Sequence, residues 1–203
     1  MSRFFRMKAF PARLRRLFAD RGGVAAIEFA FIAPLLLTMY FVTMEIAPAI
    51  DANKKVGRSA SMVADLVTQQ ATITKSELEA IMAIGEATLN PYSRSKLKVV
   101  VTAINITDEA SPKVLVAWSR KMVDGAFSQD AAKDTVTTVP AALKVKGSFL
   151  IRVDASLDYR PIITWTASAK ETTGLLAAFD NIQMKETYYL RPRMSNSITC
   201  SNC

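Results

Sequence analysis

The run VAAIEFAFIAPLLLTMYFVTMEIAPAI, from Val24 to Ile50, constrains this chain more than any other feature. Between Glu28 and Glu45 stand 16 uncharged residues, Phe29 to Met44, and the full run of 27 residues makes about 40 Å of helix at roughly 1.5 Å per residue. The full run exceeds the roughly 30 Å hydrocarbon core of a bilayer, while its uncharged part alone falls slightly short. One of the two glutamates must therefore lie near an interface or be paired. Pro34 removes a backbone donor inside the run and predicts a bend or loosened turn near residues 30–34.

The residues before the run orient it. Residues 1–23 hold seven basic groups, Arg3, Arg6, Lys8, Arg13, Arg15, Arg16 and Arg21, against the single acid Asp20. The other 180 residues hold 19 basic and 17 acidic groups, so the net charge of +8 sits mainly in this tail. A basic flank beside an apolar run predicts a cytoplasmic N-terminus, a transmembrane helix over 24–50 and outward-facing chain beyond it. A cleaved secretory signal fits less well. The tail and the run are both long for one, and Ala47-Pro48-Ala49, the nearest small-x-small sequence, carries a proline.

The composition also excludes several kinds of chemistry. With no His, the sequence has no Ser-His-Asp or Cys-His catalysis and no HExxH metal site. The two cysteines, Cys200 and Cys203, cannot complete a structural zinc site alone. A redox CxxC opens a helix in a thioredoxin-like fold, a context these residues lack, so a local or interchain disulfide in an oxidising compartment is the expectation. Two exposed thiols without consequence are the plainer alternative. Asp154 and Asp158 share a strand face without a companion base or nucleophile and read as solvated surface. No compact basic and aromatic face follows the tail, so no nucleic-acid partner is expected. The expectation is a protein that is not an enzyme and takes no cofactor, metal or small-molecule substrate.

The junction of tail and run carries a motif. Arg21-Gly22-Gly23 leads into Val24-Ala25-Ala26-Ile27-Glu28-Phe29, which places a glutamate fifth and an aromatic sixth after the second glycine. This resembles the processing site of type IV pilins of the Tad (Flp) branch. RGGVAAIEFAFIAPLLLTMYF, with RSASMVADLVTQ beyond it and a C-terminal WS…YRPI…YYLRPRMSNSITC pattern, resembles the TadE/TadG-like family of minor, pseudopilin-type proteins. The resemblance implies a bacterial inner-membrane protein and cleavage between Gly23 and Val24 by a prepilin peptidase. It also implies assembly with other Tad pilus subunits, in which Glu28 pairs with the new α-amino group of a neighbouring copy and Phe29 completes the recognition sequence. A glycine lets the peptide enter a protease cleft extended, and a glutamate inside the bilayer is costly unless partnered. Without those implications, Glu28 is a glutamate at the membrane interface and Gly22-Gly23 a turn. The chain is then an uncleaved inner-membrane anchor presenting a periplasmic interaction domain.

Beyond Ile50 the helical period continues. Ala49, Ala52, Val56, Ser59, Val63, Leu66 and Gln70, flanked by Ala60 and Val67, form a narrow stripe that predicts a stalk helix over 51–70 packed on an exported domain, 71–203. Thr74 and Glu77 have capping-box spacing ahead of Leu78, Ile81, Met82 and Leu89, which predicts a helix over about 75–89. Strands are expected at 97–106, 114–120, 144–159 and 183–190, with loops or short helices at 121–141 and 161–182. The expected fold class is α+β: a long N-terminal transmembrane and stalk helix, and a second helix packed on an antiparallel sheet of about four strands. That layout is similar to a pilin.

Overall fold

The computed structural model of the chain describes residues 23–91, 96–160 and 182–203. The basic tail 1–22 and most of the expected loop 161–182 lie outside them. Two compact units divide the chain, Met1–Met44 and Glu45–Cys203.

Helix α1 runs from Val24 to Thr68 without a break and contributes to both units. It passes through Pro34, whose missing N–H leaves the Ala30 carbonyl without its usual donor. One turn later Thr38 Oγ1 donates to the Pro34 carbonyl at 2.8 Å, and Thr43 repeats this on Met39 at 2.8 Å. Hydroxyls that turn back onto their own helix are satisfied without water.

The unit Glu45–Cys203 is α+β as expected, with a correction to the sheet. Five strands pair antiparallel in the order β4-β3-β2-β5-β6: β2 Leu97–Ile106, β3 Val114–Val123, β4 Ala126–Gln129, β5 Phe149–Tyr159 and β6 Ile182–Leu190. The fifth strand, β4, falls where a loop or short helix is expected. It follows a two-residue turn at Asp124 and Gly125, both with positive φ (54° and 73°), a backbone that Asp-Gly pairs favour in tight hairpins. Strand β5 also begins later than expected, at Phe149. Gly147, at φ 64°, ends a turn closed by the Ser148 N–H on the Val145 carbonyl at 3.3 Å. Between β2 and β3 the register shifts by one, so that Ala103 faces Trp118 and Ile104 faces Val116, leaving Ala117 as a bulge.

A further pair of three-residue strands, β1 Thr72–Thr74 and β7 Thr199–Ser201, runs parallel and stands outside the main sheet. Helix α2, Lys75–Ala87, starts directly after β1 and has the expected capping box at Thr74 and Glu77.

The main core lies between the helices and one sheet face. From α1 come Ala52, Val56, Ala60, Val63, Ala64 and Val67, and from α2 Leu78 and Met82. The sheet supplies Val99, Val101, Ile151, Val153 and Leu157 among others. The stripe read from the sequence is thus largely the buried face of α1, although Gln70 at its end is exposed and Gly57 and Ala64 join it. A second, smaller cluster gathers Ile104, Ile106, Val114 and Leu150 with Val139 and Leu143.

Candidate functional site

Gly23 forms the last turn before α1, and Val24 is the helix's first residue. A side chain placed on Gly23 would meet nothing within 4 Å. Packing among the described residues therefore does not explain a glycine there. The first turn of α1 carries no acid, so its positive dipole end and unpaired N–H groups lack a side-chain partner from that turn.

Glu28 lies one turn beyond Val24 on the same helix face. It is exposed and forms no ion pair or hydrogen bond among the described residues. Phe29 beside it is 69% exposed, and Phe31 is 78% exposed. Ile27, Ile32, Leu35, Leu36, Leu37 and Tyr40 are exposed as well. An all-round apolar helix surface of this kind belongs in a bilayer or against other helices. By length and composition α1 is a candidate membrane span, and Val24 to Met44 alone amount to about 30 Å of helix.

The two glutamates bounding the uncharged run have different surroundings. Glu45 is buried in the unit Glu45–Cys203, where Oε1 accepts a hydrogen bond from the Tyr159 hydroxyl at 3.3 Å. Of the two glutamates, one of which is expected near an interface or paired, Glu45 thus has a hydrogen-bond partner. Periodicity gave no hint of Tyr159 as partner, because the two residues are 114 positions apart.

Cys200 and Cys203 are joined in a disulfide with Cα atoms 5.7 Å apart. Cys200 lies in β7 opposite Ile73, and both cysteines pack at the edge of the main core. Three contacts hold this terminal segment in place. The Trp118 indole N–H donates to the buried Ile198 carbonyl at 2.8 Å. The Arg193 N–H donates to the Thr68 carbonyl at the end of α1 at 2.9 Å, and its guanidinium pairs with Asp65 at 2.5 Å. The segment therefore supplies a donor for one of the carbonyls left open at a helix end.

Asp154 is more engaged than a solvated carboxylate: Arg152 Nε lies 3.0 Å away and the Thr187 hydroxyl donates to it at 2.6 Å. Asp158 is exposed and accepts from the Gln183 side-chain amide at 3.4 Å. Among the described residues, no three or more His, Cys, Asp or Glu gather as a metal-binding group would.

Residues 23–65 match the model of a family described as TadE-like protein, in agreement with the resemblance read from the motif. The matched stretch holds Gly23, Val24, Glu28 and Phe29 together with most of α1. No curated protein and no solved structure matches the chain.

Proposed function

We propose that the chain is a minor pilin or pseudopilin-type assembly component of a Tad pilus system and is not an enzyme. It is held in the bacterial inner membrane by the first half of α1, with its N-terminus cytoplasmic and the unit from Glu45 onward outside. A prepilin peptidase cuts between Gly23 and Val24, and the exposed helix then packs with other pilus subunits.

One observation carries the reading: within the TadE-like stretch, Glu28 is a carboxylate on an apolar, exposed helix face with no partner among the described residues. Such a group inside a bilayer costs several kcal/mol unless it finds a counter-charge. Cleavage before Val24 would create that charge, an α-amino group at the start of α1, where a bare cation opposes the helix dipole. A carboxylate from a neighbouring copy would offset both costs and fix the axial register of two helices. The open surroundings of Gly23 support the same reading, since a requirement for glycine there is then set by the peptidase cleft.

The test is Glu28→Ala and Glu28→Gln in the native host, with membrane and surface-pilus fractions assayed separately. The expected result is normal membrane levels with loss of the chain from the assembled complex. Assembly at wild-type levels in both variants would remove the register role.

A further inference from the structure

Strand β6 ends the main sheet. Among the described residues it pairs with β5 alone, over all nine of its residues and with no shift of register. Every second residue of such a strand points its backbone N–H and C=O away from its partner. β6 has no proline and no bulge, and its one lysine, Lys185, lies on the sheet face away from α1. The devices that usually blunt a sheet edge are therefore scarce, and the edge is a template for another strand.

Two grooves follow this edge between β6 and α1. The first, about 410 Å³, lies between Ile46, Ala49 and Ile50 of α1 and Ile182 and Met184 of β6. The second, about 690 Å³, runs past Gly57, Arg58 and Ser61 to Glu186 and Tyr188. Asn53 and Lys54 line both, so the two join there. No residue of β5 lines either groove, and Gln183, which lies on the other sheet face beside Asp158, lines the first. The grooves therefore open at the free edge of β6. Along α1 they extend from Ile46 to Asp65, about 28 Å of helix, which is the length of an added strand of about eight residues.

Side chains alternate along a strand, so every second one of an added strand would enter the grooves. At the Ile46 end they meet apolar walls. Further along, Lys54 and Arg58 are exposed and form no ion pair or hydrogen bond among the described residues. Four residues apart, they project from the same face of α1. Of the two acids lining the second groove, Asp65 is paired with Arg193, which leaves Glu186 against two cations. The β6 of a second copy carries one lysine and one glutamate and has no net charge to answer them. An acidic segment does.

We infer that β6 and α1 form a docking edge for an extended segment of another protein, apolar at one end and acidic at the other, which joins the main sheet as a sixth strand. Its main-chain hydrogen bonds supply affinity, and the apolar and cationic parts of the groove select its side chains. The proposed function gives the assembly contacts to the exposed part of α1; this edge is a separate contact. A chain that is never cut at Gly23 keeps it, so the two readings fail separately.

The test uses the full chain purified in detergent and a fluorescent peptide of about eight residues. Valine alternates with threonine in one half of the peptide, and aspartate with threonine in the other. Both sequence directions are made, so that parallel and antiparallel addition are each sampled. One direction is expected to bind in fluorescence anisotropy, and lysine in place of aspartate to abolish binding. Lys54→Gln and Arg58→Gln are each expected to weaken binding about fivefold. The double variant Lys144→Gln/Lys146→Gln, which removes charge from an exposed loop, is expected to change nothing. Methylating the peptide's backbone nitrogens along one edge is expected to weaken binding about tenfold or more, and along its other edge to have little effect. Bound peptide is expected to slow amide exchange at alternate residues of β6. No binding in either direction, equal binding of the aspartate and lysine peptides, or indifference to methylation on both edges would overturn the inference. So would alternate β6 amides already protected in the free chain, which would assign the edge to another part of the chain or to a second copy.

Discussion

At Gly85 helices α1 and α2 come close enough to exclude any side chain. A Cβ there would lie 2.6 Å from Val63 Cγ2 and 2.9 Å from Ser59 Oγ, and the Ser59 hydroxyl donates to the Gly85 carbonyl at 2.8 Å. Val63 has little freedom to yield, since a β-branched side chain in a helix is held near one rotamer. Gly85→Ala adds up to about 1 kcal/mol of helix propensity but costs about 1–3 kcal/mol in overpacking. A net loss of up to about 2 kcal/mol in denaturant unfolding is expected, and a stabilised variant would contradict the contact. Arg120 and Glu79 give a second, asymmetric case. Their ion pair joins β3 to α2, with 8% of the arginine side chain exposed and 24% of the glutamate. Glu79→Ala leaves the guanidinium buried and is expected to cost about 3–5 kcal/mol. Arg120→Met leaves a carboxylate that reaches water, so its cost should be the smaller of the two in the same unfolding assay. Neither contact was legible in the sequence. Gly85 sits inside a helical pattern where glycine only weakens the assignment, and the ion pair joins residues 41 positions apart.

Element by element, legibility followed the range of the interactions. The capping box at Thr74 and Glu77 is local, and it was read correctly from four residues. The Glu77 carboxylate accepts the Thr74 backbone N–H at 2.8 Å and its hydroxyl at 2.9 Å, and these bonds, the backbone one first, hold its pKa below the ordinary 4.5. A carboxylate lowered on folding adds stability above its unfolded value and loses it as pH falls through the folded one. Hydrogen-exchange protection at the start of α2 should therefore hold at neutral pH and decline on acidification below about 4.5, with Glu77→Gln flattening the profile. A wild-type profile as flat as the variant's would contradict the cap. The strands at 97–106 and 182–190 were visible as apolar, β-branched or alternating runs. Strand β4 was missed although its Asp124-Gly125 signal is plain, because only four mostly exposed residues follow it. Strands β1 and β7 are three residues each and pair across the chain, so neither has a period to detect. The same distance hid the Trp118 bond to Ile198. Trp118→Phe leaves that buried carbonyl unpaired, at about 1–3 kcal/mol, and should make residues 191–203 more sensitive to protease while the sheet persists.

For the whole molecule, one helix serves two purposes. Its stretch within Met1–Met44 is apolar on every side, while its stretch from Glu45 to Thr68 packs one face into a core. In the sequence a 3.6-residue stripe replaces a continuous apolar run near Ile50, and along the helix burial begins at Glu45. The candidate site was legible only as a motif. Gly23, Val24, Glu28 and Phe29 have no geometry within one chain that states a purpose, because the proposed partners of these residues are a peptidase and another copy. The most direct measurement is therefore N-terminal sequencing of the protein isolated from membranes of its native host with an active prepilin peptidase. A chain beginning at Val24 is the predicted result; one that still begins at Met1 or Ser2 would contradict the account.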